Sequence, residues 1–267
     1  MIPYPFKYER AKSLAEAEQL IKRLPDAKLL AGGQTLIAAM KLRLASPSDL
    51  IDISGLKELS FIRADSGRIV IGASTKHADV ATSADVRRAI PALAMLAGVI
   101  GDPAVRHMGT IGGSVANNDP AADYPAAVLG LGATVVTTRR SIESDAFFTG
   151  MFSTALEDGE IIKEISFPVP ERAAYRKFAN PASRYALVGV FVAKTKSGVR
   201  VAVTGAGPCV FRVPAMEAAL AKSFTPDAVA SIKVDDSGLN SDIHGSAEYR
   251  AHLVTVMAKR AVADALA

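Results

Sequence analysis

The sequence predicts an α+β protein built in two or three parts. Three observations carry that prediction. Helix-like and strand-like segments alternate through the stretch that Ser54 and Gly55 close, which is the pattern of a small parallel α/β unit. Two pairs of alternating runs flank turn residues and read as antiparallel hairpins: LSFIRA with RIVIGAS, and RYALVGVFVAKT with GVRVAVTGAG. Pro168 and Pro170 stand between the two pairs as an internal boundary.

In chain order, residues 12–24 read as an amphipathic helix. Ser13 and Glu16 form a capping box, Leu14, Ala17, Ile21 and Leu24 share one face, and Pro25 ends it. KLLAGG is a short buried strand entering a glycine turn, followed by a helix from Thr35 to about Leu42 and the strand SDLIDI. After the first hairpin, which turns at 65–67, residues 79–100 read as helical. Pro91 sits in a first turn there, with Leu93, Leu96, Ala97 and Ile100 on one face, until Gly101, Asp102 and Pro103 break the pattern. AAVLGLGATVVTT predicts a strand, FFTGMFSTAL a loop or short helix, and GEIIKEISFPV a strand. Beyond the prolines, the second hairpin turns at Ser197 and Gly198, and MEAALAK and 246–266 are helical.

Composition bounds the function. The 267 residues are 49% hydrophobic and 22% charged, a globular composition, and no repeat of solenoid period occurs. The formal charge of +4 comes from scattered basic residues with no run longer than the pairs Arg87–Arg88 and Arg139–Arg140, and aromatics are only 6%, so the surface reads as solvated and not as a nucleic-acid interface. The longest apolar windows, 89–100 and 125–136, fall short of the ~18 residues of a membrane helix. MIPYPFKYER lacks the basic and apolar regions of a secretory signal, which predicts a cytoplasmic chain without membrane insertion. Cys209 is the single cysteine, which excludes an internal disulfide, a CxxC pair and an iron–sulfur cluster ligated by this chain alone. His77, His107, His244 and His252 are dispersed without HxxxH or HExxH spacing, so no metal site is predicted.

The stretch with most chemical information is 109–123, GTIGGSVANNDPAAD. Gly112 and Gly113 allow a ligand to approach the backbone closely, and free N–H groups in such a turn form an anion site. AGGQTLIAAM at 31–40 has the same character. Gly33 and Gly113 lie 80 residues apart, and two such loops suit a ligand with two phosphates, that is, a dinucleotide. Asp119 and Asp123 follow the second turn. Each reads either as a helix N-cap or as an acceptor for ribose hydroxyls or a ring N–H; the cap suits Asp119, which precedes Pro120, and the ligand suits Asp123. VAVTGAGPCV imitates a Rossmann fingerprint, with Asp227 near the distance of a ribose-binding acid. However, Val210 occupies the third glycine position and the preceding strand belongs to a hairpin, so it reads as a structural turn. No GxxxxGK[ST] phosphate loop occurs.

Four ordered motifs, AGGQTLIAAMKLRLASPSDLIDI, GTIGGSVANNDPAADYPAAVLGLGATV, GEIIKEISFP and AYRKFA, resemble the FAD-binding medium subunit of the molybdenum hydroxylases, the family of carbon monoxide dehydrogenase and xanthine dehydrogenase. The resemblance runs from Ile2 to the final helix. It implies a two-lobed FAD-binding domain of the vanillyl-alcohol oxidase type at 1–170, with lobes of about 1–54 and 55–170, then a smaller C-terminal antiparallel sheet-plus-helices domain at 171–267. It also implies that Ala31, Gly32, Gly33, Gln34, Thr35 and Leu36 cradle the pyrophosphate from one side and Thr110, Ile111, Gly112, Gly113 and Ser114 from the other. Asp123 would hydrogen-bond the cofactor, Ile161 or Ile162 would lie near the adenine end, and Lys177 near the flavin. A cation beside the flavin pyrimidine edge stabilises negative charge on the reduced ring. Without the resemblance, Lys177 reads as an exposed lysine in a sheet.

Gln34 stands where some relatives carry histidine and Ser114 where some carry asparagine, so those positions are assigned backbone contacts. Neither glycine loop carries a histidine or cysteine placed for attachment, which predicts a noncovalent flavin. The resemblance further implies an electron-transfer subunit without substrate specificity of its own. Its partners would be a large subunit bearing the molybdenum cofactor and a small subunit bearing iron–sulfur clusters, assembled as a dimer of heterotrimers. A rival is a free-standing flavin oxidase or reductase of the same fold, for which Tyr124, Tyr185 and His107 are the available bases. A flavin-less interaction protein on the same scaffold is the reading from another class.

Overall fold

The computed structural model describes residues 2–267. The first lobe runs β1 (Lys7–Arg10), α1 (Leu14–Arg23), β2 (Lys28–Leu30), α2 (Leu36–Lys41) and β3 (Asp49–Asp52). Its three strands are parallel in the order β1-β3-β2. Ser13 Oγ accepts the Glu16 N–H at 3.1 Å as the expected N-cap, but the Glu16 carboxylate accepts from Lys12 N–H at 2.6 Å instead of Ser13 N–H, so only the Ser13 half of the capping box forms. Ala17 and Leu20 of α1 then bury against Ile51 and Ile53.

The second lobe follows as β4 (Ile62–Asp65), β5 (Arg68–Gly72), α3 (His77–Thr82), α4 (Ala84–Ala89), α5 (Pro91–Gly98), α6 (Pro103–Met108), α7 (Ile111–Asn117), α8 (Tyr124–Leu131), β6 (Thr134–Thr137), β7 (Ser141–Glu143), α9 (Ser144–Phe147), β8 (Phe148–Gly150), β9 (Ser153–Thr154) and β10 (Ile162–Pro168). The sheet order is β4-β5-β10-β6-β7, antiparallel throughout.

Several expectations are corrected here. The helix expected over 79–100 is three helices, because Ser83 caps α4 by accepting from Val86 N–H and Pro91 starts α5. The break at 101–103 is itself a helix start: Asp102 caps α6 and Pro103 occupies its first turn. The glycine stretch at 111–117 is the helix α7 and not a turn. AAVLGLGATVVTT is half helix: α8 ends where Gly132 adopts φ 63°, and only then does β6 begin. FFTGMFSTAL contains the small hairpin β8–β9. Asp119 accepts from Ala121 N–H at 2.8 Å in a local turn and does not cap α8.

The last part is a four-stranded antiparallel sheet, β11 (Arg172–Ala179), β12 (Ala186–Thr195), β13 (Gly198–Thr204) and β14 (Phe211–Arg212), with α10 (Pro214–Lys222), α11 (Pro226–Ala230) and α12 (Ala247–Leu266). Alternation along the strands divides it between two cores. Tyr175, Phe191, Ala193 and Ala202 point into the core of the second lobe, whereas Ala174, Val190, Val192 and Val203 meet α10 and α12. The sheet is therefore covered on both faces. The Rossmann look-alike is a strand end and turn: Gly205 has φ 81°, and Asp227 is exposed, with its carboxylate 4.0 Å from Lys259.

Candidate functional site

Parallel strands in the order β1-β3-β2 direct their carboxyl ends to one edge, where ligands of open α/β sheets bind. The β2–α2 connection leaves from that edge. Gly33 adopts φ 72°, the left-handed region glycine enters at no steric cost. The N–H groups of Gly32, Gly33, Gln34, Thr35 and Leu36 have no acceptor among the described residues, and Thr35 makes no side-chain cap on α2. A run of adjacent unbonded N–H groups is an anion cradle.

The second glycine segment meets this loop. A Cβ on Gly32 would overlap the Met108 carbonyl and lie 2.7 Å from Gly109 Cα. The two stretches singled out in the sequence thus share one contact, but they differ in what they offer. Thr110 caps α7, its Oγ accepting Gly113 N–H at 3.2 Å. Ile111 N–H donates to Thr75 O at 3.0 Å, Gly112 N–H to Ala73 O at 2.8 Å, and Ser114 N–H to Thr110 O at 3.1 Å. The expectation of free amides in both loops is corrected: those at 111–114 are bonded inside the chain. Gly112 is small because α7 rests on segment 73–77; a Cβ there would come 2.5 Å from Ala73 Cβ. What this side leaves available is the Thr110 O–H proton, beside the positive end of a short helix.

The third contributor is β11. Because side chains alternate along a strand, Tyr175 and Lys177 share the face turned to the second lobe. Lys177 is therefore buried, its side chain only 6% exposed, and the surface-lysine reading is corrected. Its Nζ lies 3.0 Å from the Asp123 carboxylate and donates to Val99 O at 2.9 Å. Tyr175 OH donates to Asp123 Oδ1 at 2.5 Å. Burial pushes the Asp123 carboxyl upward, and the Lys177 ammonium and the Tyr175 hydroxyl pull it back. Burial and the Asp123 charge keep the Tyr175 phenol far above its ordinary range, so it acts only as a donor. A cleft of about 440 Å³ opens beside Lys177, lined also by Met95, Val99, Arg106 and Arg184.

Ile161 and Ile162 are both buried, in different cores: Ile161 with Ala17 and Ile53 of the first lobe, Ile162 with Ile165 and Val135 of the second. Just before them, Glu160 accepts from Thr137 Oγ at 2.6 Å, Arg140 Nε at 3.1 Å and Glu157 N–H at 2.8 Å. Burial works against its charge, but the Arg140 and Thr137 bonds outweigh it and hold its pKa down at about 2. Of the three bases open to an oxidase, Tyr124 is fully buried and His107 bonds Pro103 O at 2.7 Å; Tyr185 is partly exposed. No metal-holding group of His, Cys, Asp or Glu occurs among the described residues, nor a helix long and apolar enough to cross a membrane.

Sequence reasoning missed Thr75, His77, Tyr175 and Gly189. His77 is buried against Tyr124 with ring centroids 5.3 Å apart, and burial, with Arg106, lowers its pKa to about 4. The signal for Tyr175 was present: it precedes Lys177 by two residues in AYRKFA and so shares its face. The residues fit a bound dinucleotide, with an unbonded amide run for the diphosphate, no carboxylate within 31–36, and a buried cation at the cleft.

Comparison with known proteins agrees. Residues 4–170 match the family described as FAD binding domain in molybdopterin dehydrogenase, and 173–265 match the CO dehydrogenase flavoprotein C-terminal domain. The carbon monoxide dehydrogenase medium chain of Hydrogenophaga pseudoflava is 38% identical, covering 98% of this chain and 97% of its own length. The glyceraldehyde dehydrogenase medium chain of Sulfolobus acidocaldarius is 35% identical over 98% of each chain. A solved structure of the Hydrogenophaga pseudoflava carbon monoxide dehydrogenase superposes with a TM-score of 0.91 at 38% identity, covering 100% of this chain and 99% of the other. With both segments matched along nearly its whole length, the chain belongs to the FAD-binding medium subunits of the molybdenum hydroxylases, oxidoreductase components of the carbon monoxide dehydrogenase type.

Proposed function

We propose that this chain carries noncovalent FAD between its two glycine segments and passes electrons from iron–sulfur clusters on a small partner subunit to a terminal acceptor. In this reading the molybdenum cofactor resides on a large partner, the assembly is a dimer of heterotrimers, and the location is cytoplasmic. The carrying observation is the contact of Gly32 with Met108 and Gly109, which sets the unbonded amides of 32–36 beside Thr110. When bound, the flavin supplies the capacity to take up and release electrons.

The chain's own residues divide the work. Ala31 to Leu36 donate backbone N–H groups to the diphosphate, and Thr110 adds a hydroxyl. Ile111, Gly112, Gly113 and Ser114 give that side its shape, because their amides are already bonded. Lys177 keeps a positive charge at the cleft, with Asp123 as its counterion. Ile161 and Ile162 join the cores of the two lobes, so the adenine end would rest on the segment they anchor. Residues 1–170, with lobes 1–54 and 55–170, form the cofactor unit, and 171–267 supply Lys177 from the other side.

The test is to purify the chain, precipitate it with acid and identify the released nucleotide. FAD in the supernatant near one per chain is expected; colour retained in the pellet defeats noncovalent attachment, and absence of flavin defeats the proposal. Pull-down should bring a molybdenum subunit and an iron–sulfur subunit, whereas a catalytically complete single chain would favour the free-standing oxidase.

A further inference from the structure

We infer that Tyr175 is a positioning residue of the flavin site: its hydroxyl fixes the Asp123 carboxylate and, through it, the ammonium group of Lys177. The inference rests on the FAD-binding reading above. Lys177 has a flexible four-carbon stem, and its usefulness as a fixed charge depends on what removes that freedom. Two of its three N–H donors are committed, one to Asp123 and one to Val99 O, which leaves one for a group in the cleft.

The carboxylate needs holding in turn. Asp123 stands just before α8 but makes no cap bond to it. Apart from Lys177, the side chain that bonds it is Tyr175, whose two-torsion ring is itself buried and tilted against Phe191 at 6.2 Å. The sequence makes room for this hydroxyl. Gly189 lies opposite Lys177 on β12, and a Cβ there would run into the Tyr175 oxygen and lie 2.9 Å from Thr204 Cγ2. A glycine in the middle of a buried strand weakens it, and here it admits a hydroxyl to a carboxylate.

The experiment uses Tyr175→Phe in the full chain, which keeps the ring and removes only the O–H, together with Asp123→Asn and the double variant. FAD affinity is read by equilibrium dialysis, the midpoint potential of bound flavin by dye titration, and the fold by circular dichroism. Tyr175→Phe is expected to raise the FAD Kd by up to roughly tenfold, the weight of the one charge-assisted hydrogen bond that Lys177 has left for the cleft, and to make the potential more negative as Lys177 loses its fixed place. In the Asp123→Asn background the same change should have little further effect, since the hydroxyl acts through that carboxylate.

A Tyr175→Phe chain with the parent's Kd and potential overturns the inference alone, as does an effect of equal size in both backgrounds. Failure of the parent chain to bind FAD overturns the functional reading and this inference with it. Should Tyr175→Phe lose its fold, Gly189→Ala supplies the second approach, expected to give the same two shifts by displacing the hydroxyl; unchanged values there count against the idea.

Discussion

Gly32 rests directly on the backbone of Met108, although 76 residues separate them in the chain. No side chain, not even a methyl group, fits between. Gly32→Ala should therefore force the two segments apart. Overpacking of this kind costs about 1–3 kcal/mol, visible as a lower melting temperature, and FAD affinity should fall by at least about tenfold because the diphosphate site is split. Gly238→Ala, where an added Cβ meets nothing within 4 Å, serves as the control and should change neither.

Thr110 caps α7 directly after Gly109, against which Gly32 packs. Thr110→Ala should cost about 1 kcal/mol in urea unfolding, the usual worth of an N-cap, and should weaken FAD binding by removing its hydroxyl. Thr110→Ser keeps the oxygen and should restore most of both. Equal behaviour of the alanine and serine variants would show that the hydroxyl is not used.

Burial holds His77 neutral, with its pKa lowered from 6.5 to about 4. Between those values the unfolded chain binds the extra proton, so stability rises with pH. The contribution is complete above pH 6.5 and disappears as pH falls toward 4. A shift of that size weighs roughly 3 kcal/mol. Urea midpoints should accordingly drop between neutral pH and about pH 5, and His77→Gln should flatten that decline.

Lys177 and Asp123 should be strongly coupled. Either Lys177→Met or Asp123→Asn alone leaves a buried charge without its partner, at a cost of about 3–5 kcal/mol. The double variant should lose less than the two together, by about 1–3 kcal/mol. Strict additivity in urea melts would mean that the 3.0 Å contact contributes nothing.

The first loop could be read as a glycine turn because KLL before AGG reads as a strand and TLIAAM after it as a helix, and the left-handed φ of 72° at Gly33 is what that turn requires. The second was misread for a physical reason. Paired glycines lower helix propensity by about 1 kcal/mol each, so a turn was expected, but the contact of Gly112 with Ala73 demands a small residue inside α7 and overrides propensity. AAVLGLGATVV misled for another reason. All eight residues of α8 are buried, and a continuous apolar run shows no period that separates helix from strand. Lys177 was legible only by resemblance. Both faces of the C-terminal sheet are covered, so alternation in AYRKFA does not mark either side as solvent, and the partner that explains the buried ammonium lies 54 residues away.

The clamp between β12–β13 and the turn before Asp123 bears on how such chains can be rearranged. Thr204 Oγ donates its one proton to Ala122 O at 2.6 Å and lies 3.0 Å from Pro120 O, which accepts from Gly205 N–H at 2.8 Å. Cut at the 169–171 linker, the larger fragment would keep both glycine segments yet lose Lys177, the counterion of Asp123, and expose the apolar seat of Phe191. The two halves should thus prove separable in sequence but not in stability. Recombination should therefore transfer them jointly, and a hybrid joining halves from distant relatives should fold only when the 119–123 turn and its clamp come from the same parent.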